Sequence, residues 1–378
     1  MNRLYTLPIV LGMTALAGTA AADIKVGVVA SMTGPGSSYG TVTKQTYEVA
    51  VQEIDGEKVT YYFMDDGSDP SRAVQNVRKM AQEENVDILV GFNGVQIPRA
   101  VQPLLSEFKL PAIAGAPLTL TGKDAEWFIS VVQPVQNWMI PVVDSMAAAG
   151  VKTVGFIGYA DSWGDDTLKA LKTVGASKGI EVVVEERYAR GDTSTTPQML
   201  KIFAQRPDAI FVGAGGTGAA LPSLDLERLG YDGRIYHTNA VATPQFLKVA
   251  GTAAEGNFAV TGPLTVVDKL EDGHPSKALA LDFIERFNAK HATEGVDVIA
   301  GYNFDASILF EAAARQALKT AKPGTPEFRE ALRSAMHSLS GVVGVTASFN
   351  YKEGSSDGVG PEATIVVTAK DGAWQPTK

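Results

Sequence analysis

Hydrophobic and polar positions along this chain follow two patterns in alternation. Short runs of consecutive apolar residues read as strands covered on both faces. Between them lie stretches whose apolar residues recur as on one side of a helix. Strands are predicted over 24–31, 59–65, 86–92, 111–116 and 127–132, with helices over 41–54, over 70–84 and up to Phe108. A second series begins after Gln133-Pro134. It predicts helix 135–149, strand 153–159, helix 163–178, strand 181–187, helix 193–205, strand 208–214, helix 217–229, strand 234–238, helix 243–249 and strand 258–261. Residues 275–337 carry a helical pattern. The chain ends in strand-like 346–351 and 363–369, expected to pair as a hairpin over the polar loop between them. Two runs of alternating β and α predict an α/β protein built as two doubly wound lobes. The helical stretch after Pro263 is expected to return to the first lobe and the final hairpin to join the second. In such sheets ligands bind beyond the carboxyl ends of the strands, so strand-end residues are the candidates for function.

The first residues stand outside this pattern. Arg3 precedes an apolar run from Leu4 to Leu16, and Ala20-Ala21-Ala22 offers a cleavage site. This reads as an export signal removed after Ala22. The run is short for a membrane span and is broken by Pro8, Gly12 and Thr14, and no later segment is long and apolar enough to cross a bilayer. No stable membrane insertion is expected. The 378 residues exceed what one ordinary core needs, which supports two lobes. A formal net charge of −9 argues against nucleic acid and anionic membrane as partners. The absence of cysteine excludes disulfides, thiol nucleophiles and thiolate metal sites. No metal and no cofactor is expected.

Two glycine motifs invite catalytic readings. Gly36-Ser37-Ser38-Tyr39-Gly40 matches G-x-S-x-G between a strand and a helix, where a nucleophile elbow would sit. An exported serine hydrolase using Ser38 would need an acid and then a histidine. Of the four histidines only His237 falls at a predicted strand end, so this remains a remote alternative. Gly213-Ala214-Gly215-Gly216-Thr217-Gly218 matches G-x-G-x-x-G, but Thr238 and Asn239 stand where a ribose-binding acid belongs. Its small residues would instead let a ligand approach the backbone. Asp65-Asp66-Gly67-Ser68-Asp69-Pro70 breaks the calcium-loop pattern and reads as a cap for the helix begun by Pro70. At other strand ends, Phe92, Asn93, Gly94, Val95 and Gln96 can orient a polar ligand and offer helix-start N–H groups to an anion. Tyr159 and Trp163 flank a loop that can stack on a ring, and Tyr302 lies near a helix start.

These strand ends, in this order, resemble the periplasmic leucine/isoleucine/valine-binding protein family, the type I solute receptors of ABC importers. The segments that carry the resemblance are IKVGVVASMTGPGSSYG, MDDGSDP with its following helix, DILVG, VAGTAAEGNFAVTG and VVGVTASFNYKEG…ATIVVTAKDGAW. The resemblance implies two Rossmann-like lobes joined by a three-crossing hinge near 132–135, 262–264 and 349–351. Lobe 1 would hold 23–132 and 265–348, and lobe 2 would hold 135–262 and 351–378. It implies a monomeric, non-enzymatic periplasmic receptor that hands a small-molecule ligand to an inner-membrane ABC permease. By family position, Gly94, Val95 and Gln96 together with Ala114, Gly115 and Ala116 would hold a ligand carboxylate. Tyr39 and Trp163 would wall the cleft. Gly215 stands where amino-acid binders carry a larger side chain and is expected to enlarge the pocket. Asn239 stands where they carry the acid that pairs with an ammonium. A carboxylate without an ammonium is therefore expected. The candidates Tyr39, Phe92, Tyr159, Trp163 and Tyr302 suggest an aromatic acid of benzoate or phenylpropanoid type. A branched-chain amino acid or an amide- or urea-type solute is the alternative.

Overall fold

The computed structural model describes residues 23–293 and 295–377. The expected export signal over residues 1–22 lies outside them. The chain opens with β1 (Ile24–Ala30), α1 (Ser37–Tyr47), β2 (Glu53–Ile54), β3 (Glu57–Asp65), α2 (Pro70–Lys79), β4 (Ile88–Gly91), α3 (Gln96–Phe108), β5 (Ala112–Ala114) and β6 (Phe128–Ser130). Then come α4 (Val135–Ala148), β7 (Thr153–Tyr159), α5 (Ser162–Ala176), β8 (Glu181–Tyr188), α6 (Thr196–Gln205), β9 (Ala209–Gly213), α7 (Ala220–Arg228), β10 (Arg234–His237), α8 (Pro244–Ala250) and β11 (Phe258–Thr261). Three helices, α9 (Lys277–His291), α10 (Val298–Ala317) and α11 (Pro326–Met336), precede β12 (Ser340–Val343), β13 (Ser348–Asn350), β14 (Ile365–Lys370) and β15 (Ala373–Pro376).

Among the described residues these strands form two large sheets and one small one. The first runs β2-β3-β1-β4-β5-β6 and is parallel apart from β2. The second runs β15-β14-β11-β10-β9-β7-β8 and is parallel apart from β14 and β15. β1 explains why the apolar runs are unbroken. Its Val26, Val28 and Ala30 pack with residues of α1, α9 and α10, while Val29 joins Leu89, Val77, Val101 and Leu105 on the opposite face. Each such buried valine or leucine contributes roughly 1.5–3 kcal/mol relative to exposure. In the second lobe Phe156 stacks on Phe211 at 6.1 Å, and α4 covers the sheet with Trp138 and Met139. Pro70 begins α2, and Asp69 caps it by accepting N–H bonds from Ser71 and Arg72 at 2.6 and 3.0 Å.

Two expectations need correction. The helix over 41–54 starts earlier, at Ser37, and ends at Tyr47, because Asp55-Gly56 makes a two-residue turn with both φ positive and pairs Ile54 with Glu57. The expected final hairpin does not form. β13 pairs with β12, whereas β14 pairs with β11 and β15. The loop after β13 lies along the edge of the first sheet. The Gly354 carbonyl accepts from Gly122, Ser356 donates its N–H to Leu120 and accepts from it, and the Tyr351 hydroxyl donates to Ser130. Val359 is the first residue of this stretch to bond α4, through Asn137 at 3.2 Å.

Candidate functional site

The carboxyl ends of β1, β4, β5, β7, β9 and β10 meet between the lobes. After β4, Gly91 (φ +95°), Phe92 (φ +64°) and Gly94 (φ +76°) lift the chain off the sheet and turn it into α3. A Cβ on Gly91 would lie 2.5 Å from the Val29 carbonyl oxygen, so glycine is required there. Asn93 braces this turn. Its Oδ1 accepts from the Ser31 N–H at 3.1 Å, and its Nδ2 donates to Thr43 Oγ1 at 3.0 Å. Thr43 Oγ1 also accepts from Asn303 of α10, so β1, α1, the β4 turn and α10 are tied at one point. Among the described residues, no backbone acceptor meets the N–H groups of Gly94, Val95 or Ala116.

The second lobe builds its wall from phenols and one cation. The Tyr159 hydroxyl donates to the Gly215 carbonyl at 2.6 Å, and the Tyr188 hydroxyl donates to the Gly218 carbonyl at 3.1 Å. Asp161 caps α5 by accepting from Trp163 and Gly164, and its other oxygen accepts from Arg190 Nε at 2.7 Å. The Arg190 guanidinium lies 4.2 Å from the centre of the Tyr159 ring. Thr238 donates to the Ala214 carbonyl and accepts from Ala240, which fixes the turn that carries Asn239.

Among the described residues, three side-chain contacts tie the lobes together across the cleft. The Tyr39 hydroxyl donates to the Ala240 carbonyl at 3.1 Å. Asn239 Nδ2 donates to the Tyr302 hydroxyl oxygen at 3.0 Å. Arg99 of α3 pairs with Asp166 of α5 at 2.8 Å. Burial pushes the Tyr39 and Tyr302 phenols well above their usual range, so both are neutral hydrogen-bonding groups at any physiological pH.

These contacts border a partly open cavity of about 50 Å³. Of the residues singled out in the sequence, Tyr39, Asn93, Gly94, Val95, Gly115, Ala116, Trp163, Gly215, Asn239 and Tyr302 line it. Phe92, Gln96, Ala114 and Tyr159 do not. Phe92 points into the layer beneath α2 and α3, Ala114 is buried within β5, and Gln96 folds its amide back over Gly94. Tyr159 is covered by Arg190. Gly215 does not widen the cavity. A Cβ there would meet Ala240 Cβ of the same lobe at 2.7 Å and the Tyr39 hydroxyl of the opposite lobe at 2.8 Å, so the space is already taken from both sides. Arg190, Pro117, Val132, Ala240 and Ile299 also line the cavity and were not foreseen. Arg190 had a readable signal, since it follows the end of β8 as Asn93 follows β4. It is the one charged residue of the lining among the described residues, and no carboxylate faces the cavity.

The hydrolase arrangement is not formed. Ser38 lies in the first turn of α1, and among the described residues no histidine bonds to it. His237 is fully buried in the second lobe beside Ser223 and Asn257, and desolvation lowers its pKa to about 3.

A family model described as periplasmic binding protein matches residues 23–373. The chain belongs to the periplasmic binding protein family. This is a family of ligand-binding receptors that work in the periplasm and deliver small molecules to ABC permeases. The fold is that of its type I members. The chain is 26% identical over 329 residues to the Leu/Ile/Val-binding protein homolog 3 of Brucella melitensis, covering 81% of this chain and 86% of that one. An extracellular ligand-binding receptor from Rhodopseudomonas palustris superimposes with a TM-score of 0.92 at 35% identity, covering 95% of this chain and all of that one. An ABC-transporter solute-binding protein from R. palustris in complex with benzoate superimposes with a TM-score of 0.77 at 19% identity, over 94% and 95% of the two chains.

Proposed function

We propose that this protein is the periplasmic receptor of an ABC importer for an aromatic carboxylate, with no catalytic role. The observation that carries the reading is the charge of the cavity lining: one arginine and no acid. An α-ammonium enclosed there would have no carboxylate partner, at a cost on the order of several kcal/mol. An anion meets Arg190 in the second lobe and the free N–H groups of Gly94, Val95 and Ala116 in the first. Tyr39, Trp163 and Tyr302 supply ring surfaces. Asn239 Oδ1 is buried without a partner, and Asn239 bonds only one face of the Tyr302 hydroxyl. Whichever way the amide faces, this pair has at least one donor and one acceptor left. That suits a ring hydroxyl, which needs both. The benzoate-bound neighbour supports the reading only in showing that such a fold carries an aromatic acid.

The cavity volume favours a second reading. An engineered cavity of about 150 Å³ holds benzene, three times the volume of this partly open cavity. An aromatic acid therefore has to hold the lobes slightly further apart, whereas a short-chain carboxylate fits as they stand. A thermal-shift series with benzoate, 4-hydroxybenzoate, propionate, leucine and acetamide at equal concentration separates these readings. The largest shift is expected from 4-hydroxybenzoate. A shift from propionate alone moves the assignment to short acids. Stabilisation by leucine or acetamide without any by the acids overturns the carboxylate reading.

A further inference from the structure

We propose that Asp161 is a positioning residue that aims Arg190 at the ligand. This rests on the reading of the ligand as an anion. Asp161 holds the guanidinium by its Nε, at 2.7 Å, which is the one nitrogen on the stem side of the group. Among the described residues neither terminal nitrogen of Arg190 bonds a protein acceptor, so the edge suited to a carboxylate stays free. The plane of the group is fixed as well. It lies 4.2 Å over the Tyr159 ring, and that ring is pinned by its hydroxyl bond to the Gly215 carbonyl. Asp161 is not shared with the neighbouring cation, because Arg187 pairs with Asp165 instead.

The same carboxylate orders a second wall of the cavity. Its Oδ1 accepts the N–H groups of Trp163 and Gly164, which starts α5 and sets where the Trp163 side chain enters the cleft. One acid thus orients both the cation and the indole that the second lobe presents. Arg190 and Asp161 retain 22% and 25% of their side-chain exposure, and the bond between them sets geometry in advance of binding.

The experiment uses benzoate and its neutral isostere benzamide, titrated calorimetrically into the full-length mature protein and two variants. Arg190→Gln tests the underlying reading: the preference for benzoate over benzamide should vanish. If wild type binds neither, propionate and propionamide replace them; if no acid binds, or if the preference for acid over amide survives in Arg190→Gln, the anion reading fails and the role of Asp161 fails with it. Asp161→Asn keeps a capping oxygen but turns an amide N–H toward Arg190 Nε, freeing the guanidinium. It should weaken benzoate by about tenfold, the scale of ordering one long side chain, and benzamide by less than about twofold. An unchanged or strengthened benzoate affinity in Asp161→Asn, with Arg190→Gln behaving as expected, overturns the proposal. So does an equal loss of both ligands with a fall in melting temperature, which would mark a purely structural role.

Discussion

Gly215→Ala is the most informative single substitution. The added methyl would lie 2.7 Å from Ala240 Cβ and 2.8 Å from the Tyr39 hydroxyl. The first neighbour belongs to the same lobe and is met in every state. The second belongs to the opposite lobe and is met only on closure. Tyr39 would have to withdraw, breaking its 3.1 Å bond to the Ala240 carbonyl. That bond is worth about 0.5–1.5 kcal/mol, and the overpacking adds roughly 1–3 kcal/mol. The sum is about 1.5–4.5 kcal/mol, and because the Ala240 contact is met in both forms only the share set by Tyr39 weighs on closure, so ligand affinity should drop by roughly tenfold and at most about a thousandfold. Titration calorimetry with the best ligand of the series measures this, and small-angle scattering follows closure through the radius of gyration. Tyr39→Phe loses only the hydrogen bond, so its cost should be about tenfold or less in wild type and smaller still beside Gly215→Ala. Wild-type affinity and compaction in Gly215→Ala would refute the idea that this backbone receives Tyr39. Improved binding would refute it more strongly.

Asp305 is fully buried and accepts bonds from the Val345 and Thr346 N–H groups and the Thr346 hydroxyl, and burial raises its pKa from 3.8 to about 7. A carboxyl with a raised folded pKa contributes stability that is present below about pH 4 and lost as pH rises through about 7. Asp297, raised to about 6 by burial, acts in the same direction. Melting temperature should therefore carry a falling contribution from these groups between about pH 4 and 7, and Asp305→Asn should flatten it; equal slopes in both proteins over that range would contradict it. Asn239→Asp puts a carboxylate beside Tyr302 in the cavity. It should weaken aromatic acids by more than about tenfold and raise the response to leucine, read in the same thermal-shift series; unchanged selectivity would remove Asn239 from ligand recognition. Gly40→Ala would set a Cβ 2.2 Å from the Ser31 carbonyl oxygen and 2.5 Å from the Met32 nitrogen. With backbone on both sides, the loss should reach several kcal/mol in urea unfolding, and a midpoint within error of wild type would show that the loop yields.

The sequence was most legible where one residue's surroundings are local. The strand at Ile24, the helix begun by Pro70 and the glycine-led turn after β4 each follow from short-range pattern and backbone chemistry. The Asp55-Gly56 hairpin was equally local, but the apolar spacing before it also satisfies a helix, and the helix reading hid it. The final strands misled for another reason. Thr346–Tyr351 and Ala363–Ala369 look like two arms of one hairpin, yet their partners lie in different lobes, and no sequence spacing encodes a choice of sheet. In the site, small residues at strand ends were readable as places of backbone approach. What approaches them was not. Tyr39 meets Ala240 across 201 residues of sequence and Asn239 meets Tyr302 across 63. Gly215 was read as empty space because its fillers, Ala240 of the same lobe and Tyr39 of the far one, are distant in sequence. Arg190 escaped notice because β8 alternates exposed and half-buried positions and lacks the continuous apolar run that marks the inner strands.

The order of elements along the chain also governs when the protein can fold. One face of the first sheet is covered by α10 and α11, which follow β1 by more than half the chain, and β14 completes the second sheet only near the end. Each lobe thus waits on segments made late, and the loop closures involved are long ones, the kind that slow folding most. A nascent chain released up to about β11 would have a first sheet with one bare apolar face and a second sheet without its last two strands. For a chain expected to cross a membrane before it works, that delay keeps it threadable until most of it has been delivered.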